Sequence, residues 1–261
     1  HSTAAALPTE IATPTPELSP SVVAVFPTAT PAVALSGRSA RVITRGPTSD
    51  KVVALTYDAG ADRGQAAQLL ASLDQAGVKA TFGMTGRWAE NNPDLVRHIA
   101  ASGHELMNHT YDHRSFTGKS ARPAVTSPQA RLTEIQHAEA IIQEISGISP
   151  RPLFRPPYGD EDTGVLQAVS AAGYEYSVLW TVDSSGWRGI PLQQIVDRCV
   201  RDVVPGAIYV QHVGGISHDV EATPAIIEGL RVRGYRLTTV GALLSLSSTA
   251  PPVVQTVANG G

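Results

Sequence analysis

A single cysteine, Cys199, is all that 261 residues carry. That excludes an intrachain disulfide and a thiolate metal site, so any metal would have to be held by histidine and carboxylate. Cys199 falls in the helix-like segment QQIVDRCVRDVV, where a buried structural thiol is expected rather than a nucleophile. No run of about 18 apolar residues occurs, so no segment is expected to span a membrane. Lysine/arginine blocks and basic-aromatic interleaving are missing too. With a formal net charge of only -3, nucleic acid finds no electrostatic footprint. Neither an internal repeat nor a cofactor motif of the cytosolic kind is present. The first residue is His1 rather than Met, so a mature or truncated form is expected.

What is present divides in two. Residues 1–46 are rich in Pro, Thr, Ser and Ala, in pieces such as TPTPELSPS and PTATPAV. That composition stays extended and buries no core, so a linker or stalk is expected, with a plain disordered terminus as the alternative. Residues 47–261 carry the folded pattern. Apolar, β-branched runs at Val52–Tyr57, Lys79–Met84, His104–Met107, Leu153–Arg155, Tyr176–Val182, Ala207–Gln211 and Tyr235–Leu237 read as strands. Amphipathic helices are expected between them at Gly64–Ala76, Pro93–Ala101, Gln129–Ile145, Asp162–Ala172, Pro191–Val203 and Thr223–Arg233, with a short one over Val240–Leu246. Regular alternation argues an α/β fold with a parallel sheet and helices outside. Six or seven such units in about 200 residues suit a barrel better than an open sheet.

The stretch Asn108–His113, NHTYDH, sets two histidines four apart. On a helix that spacing turns both imidazoles to one point, as metal ligation requires. Two are not enough, because catalytic zinc takes three protein ligands and keeps one position open. Asp58, His109, Arg155, Asp183 and His212 all fall just after strand signals, and in a barrel those ends share the rim where active sites form. Together they point to metal-assisted hydrolysis, with a carboxylate as base and a histidine as acid.

Five motifs in order carry a resemblance: TYDAG (Thr56–Gly60), HTYDH (His109–His113), RPPYG (Arg155–Gly159), DSSGW (Asp183–Trp187) and the strand-end histidine of YVQH (Tyr209–His212). Across residues 50–246 the chain resembles the polysaccharide deacetylases, the NodB-like domain of carbohydrate esterase family 4. The resemblance implies a distorted (β/α) barrel of about seven strands that removes N- or O-acetyl groups from a sugar polymer. It implies Asp58 as catalytic base, His109 and His113 as metal ligands, and Arg155 as the partner that keeps Asp58 ionised. Tyr158 would offer its backbone N–H to an oxyanion hole, or its ring would simply pack. Trp187 would wall the acetyl or sugar pocket, or pack structurally. His212 would protonate the leaving amine, and Asp183 would either raise the His212 pKa or pair with Arg155. Zinc is the expected metal, with cobalt, manganese or nickel as substitutes.

Two departures from the family pattern stand out. The second aspartate of T-F-D-D-G, a metal ligand, is Ala59 here, and Asp62 on the same loop is the candidate replacement. Gly186 stands where the family often carries a second carboxylate before the tryptophan. Of the other histidines, His98 and His137 are expected on the surface and His104 as structural, and His218 is not counted in the site, with a place in the cleft lining as its minor alternative. The expected substrate is an N-acetylated glycan, peptidoglycan first and chitin-like oligomers second, met outside the cell or at its envelope. A carbohydrate-binding homologue without turnover and an O-acetyl xylan esterase are the alternatives.

Overall fold

The computed structural model describes residues 37–60 and 62–246. Most of the expected stalk therefore lies outside the described residues, but its last part needs correcting. Arg41–Ile43 forms a strand, β1, rather than linker. It pairs in parallel with β6 (Tyr176–Val178). Three residues are too few to show an alternation, and the neighbouring Pro/Thr/Ser composition masks them.

The second strand, β2 (Val52–Ala59), is buried along its whole length. Its side chains alternate between two cores. Val52 and Ala54 face an inner cluster with Met107, Val178, Ile208 and Leu243, whereas Val53, Leu55 and Tyr57 face the helices outside. A strand covered on both faces has no need of polar alternation, which is why VVALTY reads as one apolar run. Next come α1 (Ala66–Gln75), β3 (Thr81–Met84), α2 (Gly86–Asn91), α3 (Pro93–Ala101) and β4 (Glu105–Asn108). The short helix α2 was not expected. Thr85 caps it by accepting the Trp88 N–H, a local signal too brief to show a helical period. After a long loop, α4 (Pro128–Ser146) starts on the Ser127 cap and stops at left-handed Gly147.

The remaining elements are β5 (Leu153–Phe154), α5 (Thr163–Ala171), β6, β7 (Val182–Asp183), α6 (Leu192–Arg201), β8 (Ile208–His212), α7 (Asp219–Val232), β9 (Arg236–Thr238) and α8 (Val240–Ser245). The sheet runs β1-β6-β5-β4-β3-β2-β8-β7, with β9 also on β2, and every ladder is parallel. The expected (β/α) barrel is therefore present, with nine strands among the described residues rather than about seven.

The single strand expected over Tyr176–Val182 is broken. One half, β6, sits beside the end strand β1 and the other, β7, is the opposite end of the sheet path, and residues 179–181 bridge between them. Leu179 N donates to Ile43 O at 2.7 Å and Thr181 N to Ile208 O at 2.9 Å. This bridge closes the barrel without a regular ladder, so inward carbonyls at the seam need another donor. Arg155 supplies it from inside.

Candidate active site

Because all strands are parallel, the ends of β2, β4, β5, β7 and β8 meet on one rim, and they bring Asp58, His109, Arg155, Asp183 and His212 to one cleft of about 710 Å3. Arg155 is fully buried. Its Nη1 donates to Asp58 Oδ1 at 2.8 Å and to Thr56 Oγ1 at 2.7 Å, and its Nε donates to Val178 O at 3.0 Å. Burial resists ionisation of Asp58, but the Arg155 guanidinium outweighs it, helped by His109 and His212, and holds the carboxyl below its ordinary range. The other oxygen, Oδ2, lies 3.8 Å from His109 Nε2, too far for a direct hydrogen bond. Asp58 is thus an ionised carboxylate with one oxygen anchored and one facing the cleft.

Space for that carboxylate comes from Gly83, its register partner on β3. A Cβ there would stand 2.5 Å from Asp58 Oδ1 and 3.0 Å from Met107 Cε. Sequence reading passed over Gly83, since a glycine inside a strand signals only close approach of something unnamed.

The two histidines do not lie on a helix. Asn108 ends β4, and Thr110 (φ 67°) and His113 (φ 63°) turn the chain in left-handed conformations. Each such non-glycine position costs roughly 1–2 kcal/mol. Asn108 Oδ1 accepting Thr110 N and Thr110 Oγ1 accepting His113 N hold the turn. The spacing of four brings the rings together by this tight turn, with centroids 4.7 Å apart. His109 Nδ1 lies 2.8 Å from Arg155 O, a carbonyl that only accepts, so Nδ1 carries the proton and Nε2 is a free donor atom. Burial lowers the pKa of His109, and burial together with His109 pushes His113 down to about 3. Two neutral imidazoles side by side are the donor chemistry a zinc-like metal takes.

The third donor is not gathered with them. Among the described residues no group of three or more His, Cys, Asp or Glu converges as a metal cage. Ala59 is fully buried within the outer apolar cluster. Asp62 reaches the cleft, but its Oδ1 accepts from Gly215 N at 2.9 Å. The protein thus fits the imidazole part of a metal site, with Asp62 on the same wall and engaged elsewhere.

At the far side, His212 ends β8 in register with Asp58. Burial favours its neutral form, but the neighbouring Asp219 carboxylate and the charge of Asp58 outweigh it and raise its pKa. The carboxylate beside it is therefore Asp219, not Asp183. Asp219 Oδ2 lies 3.7 Å from His212 Nδ1 and accepts the His212 backbone N–H at 2.8 Å. Asp183 lines the cleft, and its Oδ1 accepts from Ser185 N at 2.7 Å, so neither expected partnership, with His212 or with Arg155, has a bond here. In sequence Asp219 looks like one more helix-start aspartate.

Tyr158 sits at φ 62° in the turn after β5, half exposed, with its ring edge-on to His113 at 4.8 Å. Trp187, 54% exposed, and Ile216, 77% exposed, both line the cleft. Trp180, unforeseen, lines the floor with its ring 5.7 Å from the Arg155 guanidinium carbon. His98 and His137 are exposed as expected. His104 is buried and accepts Ala80 N at 3.1 Å, a structural role. His218 is not part of the cleft lining and pairs with Glu221 instead.

Comparison with known proteins now defines the class. A polysaccharide deacetylase family model matches residues 45–177, and the chain belongs to that family. It is 31% identical over 205 residues to a peptidoglycan-N-acetylglucosamine deacetylase of Bacillus cereus, covering 77% of this chain and 71% of that protein. Among solved structures, the Bc1960 peptidoglycan N-acetylglucosamine deacetylase is 30% identical with a TM-score of 0.71, covering 79% of this chain and 94% of that one. A carbohydrate esterase family 4 pseudoenzyme from Bacillus anthracis is 26% identical with a TM-score of 0.71, covering 79% and 70%.

Proposed function

We propose that this chain is a metal-dependent hydrolase that removes acetyl groups from an N-acetylated glycan, with peptidoglycan N-acetylglucosamine as the favoured substrate. The observation that carries the reading is the pairing of an ionised, Arg155-anchored Asp58 with a His212 of raised pKa on one cleft. That is an acid and a base pushed apart by their surroundings, as amide hydrolysis requires. The curated and structural relatives that act on peptidoglycan support the choice of substrate.

In this mechanism Asp58 Oδ2 takes a proton from water as the water oxygen adds to the acetyl carbon. Arg155 keeps Asp58 charged until then. The backbone N–H of Tyr158 donates to the oxygen that gains charge. His212 gives its proton to the sugar nitrogen as the C–N bond breaks, and acetate and a free amine result. Trp187 and Ile216 give the sugar an apolar surface. His109 and His113 would hold the metal, zinc first and cobalt, manganese or nickel otherwise, and Asp62 would complete the donor set. When bound, the metal supplies Lewis acidity toward the acetyl group. An envelope or extracellular location follows from that substrate.

A second reading is favoured by one observation. Ala59 offers no donor atom, so the chain could be a glycan-binding homologue without turnover. Acetate release from peptidoglycan, N-acetylated chitooligosaccharide and acetylated xylan, measured with and without added zinc, separates the readings. Zinc-stimulated release from the N-acetylated glycans is the expected result. Release from xylan alone reassigns the chain to ester substrates. Saccharide binding with no acetate from any of the three overturns the enzyme reading. Zinc content of Asp62→Ala tests the ligand assignment separately: a drop of roughly tenfold or more in affinity is expected, and an unchanged affinity removes Asp62 from the site.

A further inference from the structure

We propose that Asp219, at the start of α7, is the positioning residue of His212, entering the site from a helix because Gly186 leaves it the room. The carboxylate is fully buried. Its Oδ2 accepts from His212 N and from Ser217 Oγ, each at 2.8 Å. Two buried polar atoms here have no partner, Asp219 Oδ1 and His212 Nδ1, and they belong to neighbouring side chains. An unmade buried hydrogen bond costs roughly 1–3 kcal/mol per group, and the carboxylate oxygen nearest Nδ1 is Oδ2, at 3.7 Å, so a small rotation of either side chain brings Nδ1 into hydrogen-bond range of Asp219. Once that gap closes and Nδ1–H is donated to Asp219, the imidazole is held in the tautomer that presents Nε2 to the cleft. Neither of its two nitrogens then has to be chosen by chance.

Gly186 is the second half of the observation. A Cβ at that position would lie 2.2 Å from Asp219 Oδ1, 2.4 Å from Cγ and 2.7 Å from Oδ2. The carboxylate group of Asp219 thus fills the volume that any side chain at 186 would need. Position 186 and position 219 compete for one space beside His212, and only one can supply a carboxylate to it. The backbone of Asp219 is fixed in turn. Thr223 Oγ1 donates to Asp219 O at 2.9 Å, and Tyr57 OH lies 2.9 Å from Thr223 Oγ1. Tyr57 precedes Asp58 on β2, so the supports of the acid and of the base share a strand. Asp183, the other carboxylate on this rim, is engaged by Ser185 N.

This proposal rests on reading His212 as the acid, and its test separates the two. The whole chain, labelled with 15N-histidine, is compared by NMR at alkaline pH with Asp219→Asn and Asp219→Ala. His212 is expected as the Nδ1–H tautomer in the parent and as a mixture, or Nε2–H, in Asp219→Ala. The same tautomer in parent and both variants overturns the proposal whether or not acetate is released. In acetate-release kinetics, Asp219→Ala is expected to lower kcat roughly 10²-fold with KM within about twofold. Adding Gly186→Asp to Asp219→Ala returns a carboxylate to the vacated space and is expected to recover about tenfold. Failure of that double variant to exceed Asp219→Ala, with both folded, also counts against the proposal. A parent that releases no acetate but keeps the Asp219-dependent tautomer sinks the deacetylase reading alone.

Discussion

On one side of the cleft, Asp58, His109 and Arg155 stand at or just past the ends of β2, β4 and β5, buried and bonded to barrel backbone. On the other, Trp187 and Ile216 stand on exposed turns, and His212, paired through its backbone with β2, has its side chain beside a helix residue, Asp219. The first side is tied to stability. Arg155 satisfies the seam carbonyl of Val178 while it anchors Asp58, so one side chain closes the barrel and sets the base. On the second side Trp187 and Ile216 are exposed and contribute little to the core. The space that positions 186 and 219 share lies there. The contrast teaches where change is tolerated: chemistry wired into the barrel interior cannot move without unfolding it, whereas parts mounted on turns can be exchanged.

The sharpest way to break the contrast is Arg155→Ala. It strands Asp58 as a buried unpaired charge and orphans the Val178 carbonyl. A loss of about 3–5 kcal/mol in urea unfolding is expected, together with at least ~10³-fold in acetate release. Activity lost with stability unchanged would show that Arg155 serves the base alone and that the barrel seam closes without it.

Gly83→Ala acts on the same side with a different balance. Its Cβ meets the Asp58 carboxylate at 2.5 Å and must displace it. A kcat loss of roughly 10²-fold is expected from misplacing the base, with a stability cost of only about 1–3 kcal/mol from overpacking. Retained kcat would mean that Asp58 tolerates the shift and that Gly83 matters to packing alone.

The same contrast governs how much was legible before the structure. Asp58, His109, His113, Arg155 and His212 are fixed by strand-end position as well as by residue type, and parallel pairing then forces them to one rim. Helix α3 matched its expected bounds because Pro93 starts it and Gly103 follows it. What escaped leaves no distinctive mark in a local window. Gly83 and Trp180 act through contacts between elements well apart in sequence, and Asp219, only seven residues past His212, looks locally like any helix-start aspartate. The helix inferred for Asn108–His113 failed because a spacing of four is also satisfied by a turn with two left-handed residues. The single strand expected over Tyr176–Val182 failed similarly, since YSVLWTV carries a strand's composition right across the barrel seam. Helix α7 begins at Asp219, earlier than expected, because Pro224 lies inside the helix rather than in its first turn.

The smallest effect is expected on the exposed side, from Trp187→Ala. Trp187 is 54% exposed, on a three-residue turn between left-handed Ser185 and Gly189. Little core is lost with it, so the unfolding midpoint should stay within error of the parent. If its ring meets the sugar alike in the bound and reacting states, its removal takes away uniform binding: KM rises and kcat stays. A rise of roughly fivefold in KM, about 1 kcal/mol, is expected, with kcat within about twofold. A kcat loss as large as that of Gly83→Ala, at unchanged KM, would place Trp187 with the buried side instead. The division would then run between residues that touch the reacting acetyl group and residues that do not, rather than between barrel interior and turns.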